Sequence, residues 1–202
     1  NNNSADMLDL YELNRNLKMQ FATASFHNSF YFHKYDNKVT NIDEVCSNFD
    51  ELIQRLMREN SPKSWFRAFF NLGLINYIKG GRRMLPCEAG SENFFLDPHG
   101  NILPCNGMEA SCWYETMGNL NDNTFEEIWN SEQAKLVRDK VAHCPKKCWM
   151  IGSVSPVMKK YMPQVLPWVI KNKLRVIFGK RVDTSTIPFY HVGNNDLQGL
   201  DQ

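Results

Sequence analysis

Apolar residues recur at helical intervals in three stretches near the start of the chain. Residues 7–17 and 44–58 each carry apolar positions three and four residues apart, which predicts two amphipathic helices. Between Trp65 and Tyr77 the apolar positions are so dense that we expect a third helix, buried on most sides. Residues 18–32 are rich in aromatic residues and partly alternate, which predicts a strand that runs into a loop. A helix followed by a strand fits a β/α repeat.

The pattern changes after a glycine pair at 80–81, which ends the third predicted helix. Residues 93–105, NFFLDPHGNILPC, predict a β-hairpin, because two short apolar strands flank a Pro-X-Gly turn. Residues 117–143 begin as a loop and continue as a helix that Asn123 or Thr124 caps. We therefore expect a subdomain boundary near the glycine pair.

Composition and charge narrow the class of protein. The chain has 202 residues, of which 43% are apolar and 12% aromatic, enough to build a core. Its formal net charge of +1 does not indicate a nucleic-acid-binding protein. The sequence contains no run of 18 apolar residues, so it predicts no transmembrane helix. The chain opens without a methionine or a leader, so we expect a processed or excised piece of a longer protein, whose missing part could have carried a targeting signal. We expect the protein to be cytoplasmic.

A basic segment follows the predicted helix. Residues 151–182 contain seven basic residues and no acidic one, interleaved with apolar residues. This pattern predicts one or two helices that pack on the core and expose a solvated basic face. A surface for an anionic membrane or an acidic partner is the alternative. Pro163 and Pro167 interrupt the segment, which weakens the case for a membrane helix.

Cysteines supply the candidate chemistry. Five of the six lie between Cys87 and Cys148, and such clustering favours a metal site over scattered structural thiols. The predicted hairpin brings Cys87 and Cys105 toward one end, and the following helix delivers Cys144 and Cys148. Four converging thiolates satisfy either a tetrahedral zinc or an iron–sulfur cluster. The spacing leaves zinc, iron–sulfur, and a set of core thiols or disulfides all open.

Basic residues flank these cysteines. Arg82, Arg83, Lys146 and Lys147 are expected to lower the pKa of the thiols and to offset the negative charge of a metal site.

Four further residues have less direct claims to the site. Cys112 could replace one of the four ligands, whereas Cys46 lies beside an apolar helix stripe and is expected to be a buried free thiol. His143 could ligate in a mixed site, but interaction with a helix end is the favoured interpretation. His99 lies in the hairpin turn and is expected to be solvated.

The cysteine spacing resembles a known signature. Twelve residues separate Cys87 from Gly100, and four separate Gly100 from Cys105. This is similar to the C-x9–15-G-x4-C signature of SPASM and twitch domains, the C-terminal extensions of radical S-adenosylmethionine (SAM) enzymes. The hairpin, the Gly-Asn-Leu loop, the helix with EEIW and the closing cysteine pair resemble that family across residues 84–150.

The resemblance implies an α+β chain in three parts. Residues 1–80 would be the C-terminal elements of a radical SAM partial β/α barrel with its linking helices. Residues 81–150 would form a SPASM/twitch-like domain built from a β-hairpin and a helix. Residues 151–202 would form a basic helical tail.

The same resemblance implies a cofactor and its ligands. A full SPASM domain has more cysteines than this chain and holds more than one auxiliary cluster. The chain therefore resembles the single-cluster variant, with one [4Fe–4S] cluster on Cys87, Cys105, Cys144 and Cys148. The C-x3-C-x2-C motif that binds the SAM-cleaving cluster is absent, because Ile151 stands where its third cysteine would follow Cys144 and Cys148.

The implied function is an auxiliary cluster that orients substrate or relays electrons. SAM would bind through a missing N-terminal radical SAM barrel, which is the implied partner. The substrate could be a peptide, a sugar or a small molecule, and no nucleic acid is expected. The alternatives are a zinc-stabilised binding module without redox chemistry and a purely structural domain with incidental cysteines.

Overall fold

The computed structural model describes residues 3–28, 33–34, 36–107 and 115–189. Within these ranges lie seven helices: α1 (Met7–Asn16), α2 (Ile42–Arg58), α3 (Pro62–Ile78), α4 (Phe125–Asn130), α5 (Glu132–Ala142), α6 (Ile151–Lys160) and α7 (Met162–Ile177). The strands β1 (Phe95–Leu96), β2 (Asn101–Leu103) and β3 (Gly118–Asn119) form one antiparallel sheet in the order β1-β2-β3. Helices and a small sheet together give the mixed α+β content that the sequence predicts.

The larger of two apolar cores lies among α2, α3, α6 and α7. The apolar stripe of α2 packs against α3 and fully buries Leu52, Ile53 and Met57. α3 begins at Pro62. Proline has no N–H, but a residue in the first turn of a helix needs none for the helical hydrogen bonds. It ends before Gly80, whose φ of +76° is the left-handed conformation common after a helix. α7 contacts both α2 and α3, so segments distant in sequence share this core.

The strand predicted within residues 18–32 is wrong for the part that the structure describes. Residues 18–28 contain no strand, and the remainder of that stretch lies outside the described residues. The segment lies along α3 instead. The hydroxyl of Thr23 donates to Oδ1 of Asn71 at 2.7 Å, and the hydroxyl of Tyr77 donates to a carbonyl of this segment at 2.9 Å. Hydrogen bonds to a helix thus replace a strand ladder, and Phe21 packs against the larger core without one.

The division into residues 1–80, 81–150 and 151–202 stays a prediction, as does the partial barrel in the first range. The larger core takes residues from the first and third ranges alike, because α2 and α3 pack against α7.

The predicted hairpin is present, and one aspartate closes its turn. Oδ1 of Asp97 accepts from the backbone N–H groups of His99 at 2.8 Å and Asn101 at 2.9 Å. Oδ2 of Asp97 accepts from the side-chain amide of Asn101 at 2.8 Å. Gly100 completes the turn with a φ of +83°, which glycine adopts without a steric penalty. β3 was missed, since the sequence interpretation treated it as loop: its glycine and asparagine are poor strand formers.

The single helix predicted in residues 117–143 is two helices. Of the two caps that the sequence allows, Asn123 and Thr124, it is Thr124 that caps α4, and it forms a capping box with Glu127. Ser131 interrupts the helix with an extended conformation and caps α5, its hydroxyl accepting from the N–H of Ala134 at 3.0 Å. Serine favours a helix start over a helix interior, while the apolar periodicity continues across the break. The smaller core lies beneath these helices and comprises Ile102, Met117, Ile128, Ala134 and Val137.

The basic tail forms α6 and α7, and five of its seven basic residues are exposed. Pro163 and Pro167 do not interrupt α7, contrary to the sequence interpretation. Pro163 lies in the first turn, where no helical N–H is needed. The buried face around Trp168 holds the helix together at Pro167, because packing against the core offsets one lost hydrogen bond. No helix in the described part of the chain has the length and apolarity needed to span a bilayer.

Candidate metal centre

Four of the cysteines line one small cavity of about 40 Å³. They come from three separate segments: Cys87 precedes the hairpin, Cys105 follows β2, and Cys144 and Cys148 both lie on the loop between α5 and α6. The sequence predicts that these four lie together, and the structure places them around the same space. The five described cysteines, which include Cys46, are all free thiols.

Local hydrogen bonds of α5 position one side of the cavity. The N–H of Cys144 donates to the carbonyl of Val141 at 3.1 Å, which extends the last turn of α5. Nε of Arg138, on the same helix, donates to the carbonyl of Gly90 at 2.7 Å. This bond fixes α5 against the loop that follows Cys87, so two thiols distant in sequence face one cavity.

The buried side chain of Trp149 positions Cys148. Trp149 is 1% exposed within the larger core, and its indole N–H donates to a carbonyl of α3 at 2.8 Å. Its backbone N–H donates to Nε2 of His27 at 3.0 Å. His27 stacks on Tyr77 with ring centroids 4.4 Å apart, and burial lowers the pKa of His27, which favours the neutral acceptor. The sequence pattern carries no signal for His27, because its contact depends on the path of residues 18–28 along α3.

Desolvation is the largest cause of the pKa shifts of Cys105 and Cys148. Burial raises the pKa of Cys105 to about 12, and the other three cavity thiols raise it further. Burial also raises the pKa of Cys148, although Lys146 and Arg83 lower it in part. The two bases thus act on the pKa of Cys148 in the direction that the sequence predicts, but burial outweighs them and the net shift is upward. Metal binding at these thiols must release protons.

The four flanking bases differ in position. Arg83 and Lys146 line the cavity. Arg82 is exposed, and its guanidinium carbon lies 5.6 Å from the ring centroid of Phe189. Nζ of Lys147 donates at 3.0 Å to the carbonyl of the glycine that ends α3. Only half of the basic cluster that the sequence shows therefore faces the thiols.

The other sequence candidates lie away from the cavity. Cys46 is 7% exposed in the larger core, which confirms a buried free thiol. His143 is the exposed C-cap of α5, with Nδ1 2.9 Å from the carbonyl of Asp139, and His99 is exposed in the hairpin turn. Cys112 lies outside the described residues.

The lining of the cavity has donors that suit an anionic group bound by several sulfurs. Nη2 of Arg83 is buried there and has no hydrogen-bond partner in the described residues. Gly107 has no side chain and lies beside two of the thiols. A Cβ at that position would lie 3.9 Å from Sγ of Cys148 and 4.0 Å from Sγ of Cys105. In the described ranges no group of three or more His, Cys, Asp or Glu side chains surrounds one point closely enough for a single metal ion. What fits an iron–sulfur group is the chemistry of the donors, four cysteine thiols that line one cavity.

Comparison with known protein families gives a match that covers the part of the chain that contains the four thiols. The family model of SPASM, an iron–sulfur cluster-binding domain, matches residues 87–150. The matched range contains Cys87, Cys105, Cys144 and Cys148. It confirms the SPASM resemblance and indicates iron–sulfur cluster binding. No curated protein and no solved structure matches the chain significantly.

Proposed function

We propose that residues 87–150, the SPASM part of this chain, hold one [4Fe–4S] cluster through Cys87, Cys105, Cys144 and Cys148. The observation that carries this proposal is the meeting of four thiols from three segments at one cavity inside the matched range. Cysteine thiolates are the usual ligands of iron–sulfur clusters, and four of them occupy every outer iron position of a cubane.

The surroundings of the cavity suit an electron relay. A bound [4Fe–4S] cluster supplies one-electron transfer. Four cysteine ligands leave no iron free for substrate, so any orientation of substrate falls to the protein around the site. Ala89, Val141 and Met150 give the cavity apolar walls that limit access of water, while Arg83 and Lys146 place positive charge beside the thiols. Such charges offset the negative charge of a thiolate-bound cluster.

The proposed role is auxiliary, within a radical SAM enzyme. Support comes from the SPASM match together with the sequence, which contains no C-x3-C-x2-C motif: Ile151 follows Cys144 and Cys148 at the third position. SAM cleavage needs an iron left open to the cofactor. We therefore expect SAM to be bound by a radical SAM barrel that acts with this chain, on a peptide, sugar or small-molecule substrate.

Anaerobic reconstitution of the 202-residue chain with iron and sulfide tests the proposal. The expected product is a brown protein with iron and sulfide in the one-to-one ratio of a cubane, and with an EPR signal after one-electron reduction. The reduced protein, mixed with SAM, is expected to form no 5′-deoxyadenosine.

Two outcomes would contradict the proposal. A colourless protein that binds one zinc and no iron would support the zinc-stabilised module instead. Formation of 5′-deoxyadenosine by the chain itself would overturn both the ligand assignment and the auxiliary role.

A further inference from the structure

We infer that Arg83 is a positioning residue for the cluster: its guanidinium donates a hydrogen bond from Nη2 to a cluster or thiolate sulfur and raises the reduction potential. This inference rests on the proposed function. It concerns a residue of this chain that no ligand motif includes.

Three hydrogen bonds hold the guanidinium of Arg83 in place. Its Nε donates to the carbonyls of Leu85 at 2.9 Å and Pro86 at 3.2 Å. Its Nη1 donates to the carbonyl of Cys148. The side chain thus joins the segment that leads into Cys87 to the residue that carries another thiol. A guanidinium fixed at these two points cannot turn its free nitrogen toward bulk water without breaking them.

The remaining guanidinium nitrogen of Arg83, Nη2, donates no hydrogen bond within the described residues. This nitrogen is buried, and Arg83 lines the same cavity as the four thiols. A buried charged donor without an acceptor is costly, and native structures rarely leave one in that state. Thiolate or sulfide sulfur at the same cavity is the acceptor that we assign to Nη2.

The position of this charge predicts its effect on redox chemistry. Reduction adds one negative charge to a cluster, so a fixed positive charge and an N–H···S bond both favour the reduced form. The effect is strong in a cavity with apolar walls, where the effective dielectric constant is low. Arginine stays protonated throughout the pH range of proteins, so the contribution is expected not to change between neutral and mildly alkaline pH.

The neighbouring arginine provides a matched control. Arg82 carries the same charge one residue earlier, but it is exposed and lies over Phe189 instead of lining the cavity. Comparison of the two positions separates a specific contact from a change in net charge.

Redox titration of the reconstituted 202-residue chain, followed by EPR, tests the inference. Arg83→Gln removes the charge but keeps an amide donor for the carbonyls. Arg83→Lys keeps the charge but lacks the paired N–H donors of a guanidinium. Arg82→Gln is the control. We expect Arg83→Gln to lower the ratio of reduced to oxidised cluster at least tenfold at a fixed potential. For one electron this is a shift of about 59 mV. Arg83→Lys should shift the potential less, and Arg82→Gln should leave it unchanged. Circular dichroism of the iron-free proteins reports whether each variant is folded.

The outcomes separate this inference from the proposed function. A wild-type chain that takes up no cluster defeats the proposed function. A loaded wild type together with equal potentials for Arg83→Gln and Arg82→Gln overturns the inference and leaves the cluster in place. If Arg83→Gln does not fold, Arg83→Lys decides: a potential equal to that of the wild type overturns the inference, and a lowered one supports it.

Discussion

The indole of Trp149 occupies the space that a side chain on Gly73 would need. A Cβ built on Gly73 would lie 2.0 Å from Cε2 of Trp149, far inside contact distance. The indole N–H donates to the carbonyl of Phe70, one turn earlier on α3, at 2.8 Å. Because Trp149 directly follows Cys148, the close approach of tryptophan and glycine ties the cysteine cavity to the larger core.

The first prediction concerns this contact. Gly73→Ala should force the indole to move and destabilise the chain by about 1–3 kcal/mol, the usual cost of overpacking a core. Urea unfolding of the iron-free protein measures the change. We also expect the variant to hold less iron after reconstitution, because displacement of Trp149 moves Cys148. Gly152→Ala on α6 is the control, since a Cβ there meets nothing within 4 Å. Equal stability and equal iron in the two variants would show that the docking of Trp149 does not position the site.

The second prediction concerns the ligand set. Serine at Cys87, Cys105, Cys144 or Cys148 should in each case abolish stable cluster binding, because the free energy of metal binding contributes to the folding of this region. Iron and sulfide analysis after anaerobic gel filtration measures it. Cys46→Ala should leave the iron content unchanged, since this thiol lies in the larger core.

A serine variant of Cys112 tests whether this cysteine replaces one of the four assigned ligands. If Cys112→Ser removes the iron while Cys148→Ser retains it, the four assigned ligands are wrong.

The third prediction uses the bare backbone of Gly107. A methyl group there would meet Met150, Cys148 and Cys105 at 3.5–4.0 Å, which is ordinary contact when only thiols surround the cavity. Gly107→Ala should therefore change the stability of the iron-free chain by less than about 1 kcal/mol. In the presence of iron and sulfide the methyl group competes with the cluster for space, so we expect cluster loading to fall well below that of the wild type.

The matched control for Gly107→Ala is again Gly152→Ala, which adds the same methyl group where nothing lies within 4 Å. Wild-type loading of Gly107→Ala would mean that the cluster does not occupy the space beside Cys105 and Cys148.

The fourth prediction concerns acid stability through Asp97. Hydrogen bonds from the side chain and N–H of Asn101 and from the N–H of His99 lower the pKa of Asp97 below its ordinary value of 3.8. A carboxylate with a lowered folded-state pKa contributes stability that is present above the unfolded value and is lost as the pH falls through the folded value. The iron-free wild type should thus lose more stability than Asp97→Asn when the pH falls from 5 toward 3.

Urea midpoints across that range measure the acid dependence. Above pH 5 the wild type should be the more stable of the two proteins, because only the carboxylate accepts all of these bonds as an anion. Parallel pH profiles for the two proteins would contradict the assigned role of Asp97.

Local patterns in the sequence determine most elements of this fold. The apolar spacing predicts α1, α2 and α3 to within about three residues, because the buried face of an amphipathic helix appears in the period of its apolar residues. The Pro-X-Gly turn predicts the hairpin, and Thr124 predicts the start of α4, because turn and cap chemistry act within a few residues. The spacing of Cys87, Gly100 and Cys105 similarly carries the SPASM resemblance that the family match confirms.

The tertiary structure decides what those elements face. Residues 18–28 lie along α3 and not in a sheet, because their partners, Asn71 and Tyr77, come from a helix about 50 residues away in sequence. The sequence shows four bases beside the cysteines, but only the fold turns Arg83 and Lys146 into the cavity and leaves Arg82 and Lys147 outside. The direction of the thiol pKa shifts depends on the same packing, since burial is a property of the folded chain and no local spacing encodes it.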